Sequence, residues 1–165
     1  MPKRPYRAVE SRLVSEWVYA TFPQAHVIFR AYLGAFDQAL QDAAKSEAEL
    51  RALGVWRRYA DALVALPSEV HLVEAKVRGT PGVLEQLDLY AKLFPLSPDY
   101  QHLIGRTVVR DLVWAVADPV LETMARERGI RVHLFHPAWV DEYLETLRHR
   151  DRIPTLPGGL PTGET

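Results

Sequence analysis

The apolar positions of this chain recur first at a helical period and then at a strand period, and the switches between the two outline a fold. From Arg7 to Thr21, Leu13, Val14, Trp17 and Val18 return every three or four residues and Pro23 closes the segment, which predicts a helix. At 100° per residue Glu10 falls on the buried stripe, between Leu13, Val14 and Trp17, whereas Glu16 lies about 100° round toward solvent. A carboxylate on that stripe needs a partner or a cation. His26 to Phe36 mixes aromatic and β-branched residues and predicts a strand, and Gln38 to Leu53, rich in Ala, Glu, Lys and Leu, predicts a helix ended by Gly54. Val55 to Leu66 and Val70 to Val77 then read as two strands joined by a turn at Pro67, Ser68 and Glu69. Period-two alternation puts Asp61 on one face with Tyr59 and Leu63, and puts Glu74 and Lys76 on one face with Val70 and Leu72.

Arg78 to Gly82 is a turn-rich break, after which Val83, Leu87, Tyr90 and Phe94 point inward on a helix over Val83 to Phe94, with Gln86 at the inward edge. Pro95 and Pro98 interrupt the pattern. Thr107 to Ala117 is almost continuously apolar around Arg110 and Asp111, as a strand covered on both faces should be. Asp118 and Pro119 form a helix start, Gly129 ends that helix, Ile130 to Phe135 makes a strand, and Pro137 opens a last helix to about Arg148. The alternation predicts an α/β fold, a mixed central sheet with helices on both faces. We expect one domain over residues 1–152, followed by a Pro/Gly-rich tail over 153–165 that cannot pack a core.

Composition narrows the chemistry. A chain of 165 residues supports one sizeable core, and 48% hydrophobic with 25% charged residues is the balance of a soluble protein without a membrane span. The charged N-terminus leads into an amphipathic segment, not a secretory signal, so a cytoplasmic setting is expected, or a virion-associated one. With no cysteine there is no thiolate site, and any metal must be held by oxygen or imidazole. The spacing of His71, His102, His133, His136 and His149 argues against imidazole. A net charge of −1 leaves no broad basic footprint for nucleic acid. The absence of Asn beside many Arg, Leu and Pro fits a thermophilic or GC-rich source.

Against this background, Asp61, Glu74 and Lys76 stand out. Magnesium takes one or two carboxylates plus waters, and Asp61 and Glu74 on neighbouring strands could supply them. Lys76, two residues after Glu74, would point the same way, placed to position or deprotonate a metal-bound water and to offset phosphate charge. Alone, a Glu-x-Lys on an exposed strand is usually a solvated pair, and Gln86 with Tyr90 could simply edge a core face.

The residues from Tyr59 through Asp61, from Val70 through Glu74 to Lys76, and from Leu84 through Gln86 to Tyr90 together resemble the PD-(D/E)xK, or restriction-endonuclease-like, nuclease superfamily, and within it the RecB-type branch. The topological likeness covers residues 7–135. It implies that Asp61 and Glu74 bind Mg2+ or Mn2+ with Glu10 of the first helix and the backbone carbonyl of Ala75, that Lys76 activates water, and that Gln86 and Tyr90 orient the site or touch the DNA backbone. Arg57, Arg58 and Arg78 become the candidates for phosphate contact, with Arg148, Arg150 and Arg152 behind them. Ala60 stands where the motif's proline would, and the first helix lacks a Gly-x-x-x-His, which favours one metal or a Glu10-assisted site. The expected activity is a metal-dependent deoxyribonuclease; the alternative is a catalytically silent nuclease-like fold serving as a structural or accessory subunit, as a homo-oligomer or with a protein partner.

Overall fold

The computed structural model of the chain describes residues 5–35 and 58–150. The helix expected over Gln38 to Leu53, Arg57 and the tail over 153–165 lie outside the described residues. The elements in chain order are α1 (Pro5–Thr21), β1 (His26–Leu33), β2 (Arg58–Ala65), β3 (Glu69–Arg78), α2 (Gly82–Leu93), β4 (Thr107–Val116), α3 (Pro119–Glu127), β5 (Arg131–Leu134) and α4 (Trp139–Arg150). The strands form one sheet in the order β1-β2-β3-β4-β5. The first three run antiparallel as a meander, while β3, β4 and β5 are parallel. Each parallel step is bridged by a helix, because parallel neighbours cannot be joined by a tight turn. This is the mixed α/β sheet with helices on both faces that the sequence predicts.

Two apolar layers sandwich the sheet. On one face Leu84, Leu87 and Tyr90 of α2 and Leu121 and Ala125 of α3 pack on Leu63, Leu72, Leu112 and Trp114. On the other, Leu13, Val14, Trp17 and Val18 of α1 and Val140 of α4 pack on Val64, Val73, Val113 and Ala115. The helical stripe read from Leu13 to Val18 is thus the buried face of α1, and β4, apolar at successive positions, is covered on both sides. Asp118 caps α3, its carboxylate accepting from the Val120 and Leu121 amides at 3.0 and 3.1 Å. The stretch after α2 folds as two short 3-10 segments, Phe94–Leu96 and Pro98–Leu103. Buried Ser97 pins them, its hydroxyl donating to Leu93 O at 2.9 Å and accepting from Gly34 N at 2.7 Å. Among the described residues no helix is long and apolar enough to cross a membrane.

One expectation needs correction. Strict alternation would place Tyr59, Asp61 and Leu63 on one face, but Ala60 packs in the same layer as Leu63 while Ala62 and Val64 pack in the other. The alternation slips at Asp61. On β1 it slips as well: Ile28, Ala31 and Leu33 share one layer, and Val27 and Phe29 the other. The backbone cause is Arg30, whose φ of 53° is the left-handed conformation. Because the two slips face each other, the β1–β2 register survives, with Phe29 opposite Ala62 and Ala31 opposite Ala60.

Candidate functional site

The slip at Asp61 accompanies a parting of strands. The β2–β3 ladder pairs Ala65 with Val70 through Ala62 with Val73 and goes no further. Beyond it Asp61 Oδ2 accepts a hydrogen bond from the Ala75 amide at 2.9 Å, so a carboxylate stands where the next strand residue would have paired. Through the notch so opened, side chains from both faces of the sheet meet. Glu74 and Lys76 come from β3, Glu10 reaches over from α1, and Gln86 and Tyr90 from α2 on the opposite face. Together with Ser11, Arg30, Arg58, Tyr59 and Asp61 they line a cleft of about 360 Å3.

The cleft is wired by short contacts. Lys76 Nζ donates to Glu74 Oε1 at 2.7 Å and lies 3.5 Å from Glu10 Oε2. Tyr90 donates its hydroxyl proton to Glu74 Oε2 at 3.3 Å and itself accepts from the Gln86 amide. Glu74 is almost fully buried, at 2% exposure. Its carboxyl is pushed up to about 7, first by burial and then by the neighbouring Asp61 charge, with Glu10 adding and Lys76 opposing. Burial likewise raises Asp61, against the Ala75 amide and the attraction of Lys76 and Arg30. Burial alone would lower the Lys76 ammonium, but Glu74, Glu10 and Asp61 outweigh it and hold Lys76 above its ordinary value. In this state Lys76 is a cation and a hydrogen-bond donor, not a base.

Of the residues singled out from the sequence, Glu10, Arg58, Asp61, Glu74, Lys76, Gln86 and Tyr90 share this cleft, and Ala75 contributes its amide to Asp61. Glu10 is buried as its helical position predicts, and Lys76 Nζ lies 3.5 Å from its carboxylate. Arg78, exposed at the end of β3, and Arg148, on the last turns of α4, are not among the lining residues. Arg57 and Arg152 lie outside the described residues. Sequence reasoning missed Ser11, Arg30 and Tyr59. The available signal was Arg30 as a lone cation within the otherwise apolar run from Val27 to Leu33.

Beside the cations Lys76, Arg30 and Arg58, three carboxylates among the described residues, Glu10, Asp61 and Glu74, define the donor chemistry. Their mutual repulsion is what a hard cation relieves, and magnesium, which keeps several of its waters, needs only one or two carboxylates. Among the described residues no group of three or more acidic or imidazole side chains is placed to hold a metal ion, so a cation here would rest on one or two of these carboxylates and its own waters.

A second polar cluster lies on the α1 side of the sheet, toward the opposite end of β3. Asp111, 1% exposed, accepts from His71 Nδ1 at 2.6 Å and from His133 Nε2 at 2.7 Å. The His71 ring packs on Phe22, and the His133 ring on Trp17. Burial alone would raise the Asp111 carboxyl, but the two imidazoles outweigh it and hold it below its ordinary range. One nitrogen of each ring is turned onto the Asp111 carboxylate, and His71 Nε2 lies 3.3 Å from Glu69 Oε2, which makes this a brace between β3, β4 and β5.

No family model matches the chain, and no curated protein matches it. Solved structures do. The crystal structure of a protein of unknown function, AF1548, shares 11% identity over 84% of this chain, with a TM-score of 0.43. The chain spans 62% of that protein's length.

Proposed function

We propose that this chain is a divalent-metal-dependent deoxyribonuclease of the PD-(D/E)xK superfamily, related to its RecB-type branch. The observation that carries the reading is the meeting of Asp61, Glu74 and Lys76 with Glu10 from one face of the sheet and Gln86 and Tyr90 from the other, all in one cleft. Asp61 and Glu74 would hold Mg2+ or Mn2+, with Glu10 beside them. When bound, such an ion supplies Lewis acidity and offsets phosphate charge. The protein's own part is positional and electrostatic. Tyr90, held by Gln86, fixes the outer oxygen of Glu74, while Lys76 orients a water by donating to it and faces the charge that builds on the phosphate. The water oxygen bonds to phosphorus as one ester P–O bond breaks, the water gives up a proton, and the departing oxygen gains one.

The reading predicts that purified protein cleaves DNA with magnesium or manganese and stops with a chelator. Asp61→Asn retains an acceptor for the Ala75 amide and removes one of three crowded charges. It should therefore leave the melting temperature unchanged or higher while lowering cleavage by about 100-fold or more. Lys76→Ala should be similarly inactive. Cleavage surviving both substitutions overturns the proposal.

A further inference from the structure

Lys76 is committed to Glu74 and Glu10, yet a cleft that accepts a polyanion past three carboxylates needs cations of its own. Among the described residues Arg30 and Arg58 are the other cations lining it. Arg30 forms no ion pair among the described residues, although it is near enough to Asp61 to attract that carboxylate. Its guanidinium instead rests over the Tyr59 ring, 4.9 Å from the centroid, and the residue is exposed.

The backbone explains how it comes to be there. Ile28 packs in the layer of Leu63 and Leu72, so unbroken alternation along β1 would send Arg30 into that same apolar layer. The left-handed turn at Arg30 avoids this, releases the guanidinium to the cleft opposite Asp61, and leaves Ala31 and Leu33 to fill the core. A φ of 53° is the conformation glycine adopts without strain and asparagine tolerates, whereas a long side chain is disfavoured there. If the slip served folding alone, glycine would serve better. The arginine at this position points to use of its side chain.

We propose that Arg30 is the phosphate-binding residue of the cleft, its guanidinium backed by Tyr59 and engaging the DNA backbone phosphate presented to Asp61 and Glu74. The proposal rests on reading the cleft as a phosphodiester site. A planar fork of donors suits a phosphate's paired oxygens better than an ammonium does.

The test measures anisotropy of a short fluorescein-labelled DNA oligonucleotide with magnesium in an Asp61→Asn background, and cleavage in the otherwise unaltered chain. Adding Arg30→Ala or Arg30→Gly should weaken binding at least about tenfold, and the log–log salt slope should fall by about 0.7 to 0.9, one phosphate contact. Arg30→Lys should recover part of the affinity with the slope restored. Arg30→Gly should keep the melting temperature of the parent, because the backbone strain disappears with the side chain, so lost binding cannot be ascribed to unfolding. Parental affinity and salt slope in both Arg30→Ala and Arg30→Gly, or a parent that binds no DNA, overturns the inference. A protein that binds through Arg30 but cuts nothing sustains it while refuting the nuclease. Cleavage unchanged by Arg30→Ala does the reverse.

Discussion

Removing the carboxylate of Asp111 should cost more stability than any comparable change on the surface, and the geometry sets the size. Asp111→Ala deletes two charge-assisted hydrogen bonds, from His71 at 2.6 Å and from His133 at 2.7 Å. The two imidazoles are not equally exposed: the His133 side chain is 33% accessible and can turn its nitrogen to water, whereas that of His71 is 5% accessible. An orphaned buried donor costs about 1–3 kcal/mol, and the lost partner and small void bring the sum to the ~3–5 kcal/mol typical of a broken buried pair. For a chain of this size 1 kcal/mol moves Tm by about 2–4 °C, so thermal unfolding followed by circular dichroism should show a drop on the order of 10 °C. His133→Ala should cost clearly less than Asp111→Ala. The pH dependence has a definite sign. A carboxyl held below its unfolded value of 3.8 contributes stability that is complete above that value and is lost as pH falls below it. The gap between wild type and Asp111→Ala should therefore close in strong acid, below that value. A Tm within about 2 °C of wild type, or a gap undiminished in strong acid, refutes the account of this cluster as a brace.

Two further outcomes follow from other sites. A Cβ built on Gly79 would stand 2.5 Å from Leu121 Cδ2 and 2.9 Å from the Trp114 ring; leucine can shift its end, but the buried indole cannot, so Gly79→Ala should destabilise by ~1–3 kcal/mol in chemical denaturation, and an unchanged midpoint refutes this. Glu74 has the opposite sign to Asp111. With its folded value raised to about 7 from 4.5, the fold between those values holds a proton that the unfolded chain has lost, so this group's contribution declines as pH rises through about 7. In metal-free buffer the stability of wild type relative to Glu74→Gln should accordingly fall from pH 5 to pH 8, and magnesium or manganese affinity, measured by calorimetry, should weaken as pH drops below about 7; a flat difference and a flat affinity refute the argument.

The periods of the sequence carried the fold far because each element is locally consistent with its burial. The α1 stripe, the double-sided apolar run of β4 and the Asp118 cap are all decided by neighbours in sequence. The cleft was legible for the same reason in part: Glu74 and Lys76 share one side of a strand, and Gln86 and Tyr90 lie one helical turn apart. What escaped depends on pairing between distant segments. Arg30 can be placed opposite Asp61 only once β1 is in register with β2, and a left-handed φ at an arginine contradicts local preference. The His71–Asp111–His133 brace joins three strands separated by whole helices, so no spacing rule could find it. Spacing rules for metals search the sequence for ligands that point at a common ion, whereas these nitrogens point at a carboxylate.

The distribution of unfavourable features argues that the two ends of β3 do different work. At one end, polar burial is resolved internally: Asp111 is buried with both its oxygens matched to imidazole donors. At the other, three costly choices coincide in a single notch: carboxylates placed so that burial raises Asp61 and burial with repulsion raises Glu74, a ladder ended early in favour of a side-chain acceptor, and an arginine in left-handed backbone. Each could be eased by one substitution, to asparagine at Asp61 or to glycine at Arg30, without disturbing either apolar layer. A fold that otherwise agrees with its local preferences keeps such conflicts where a ligand resolves them. Here the conflicts have opposite signs. The carboxylates are crowded together, and Arg30, drawn to Asp61 without forming an ion pair, lines the same cleft. A cation among the acids and a phosphate on the arginine, arriving together, would satisfy both at once, which is the charge pairing that a metal-dependent phosphodiester site requires.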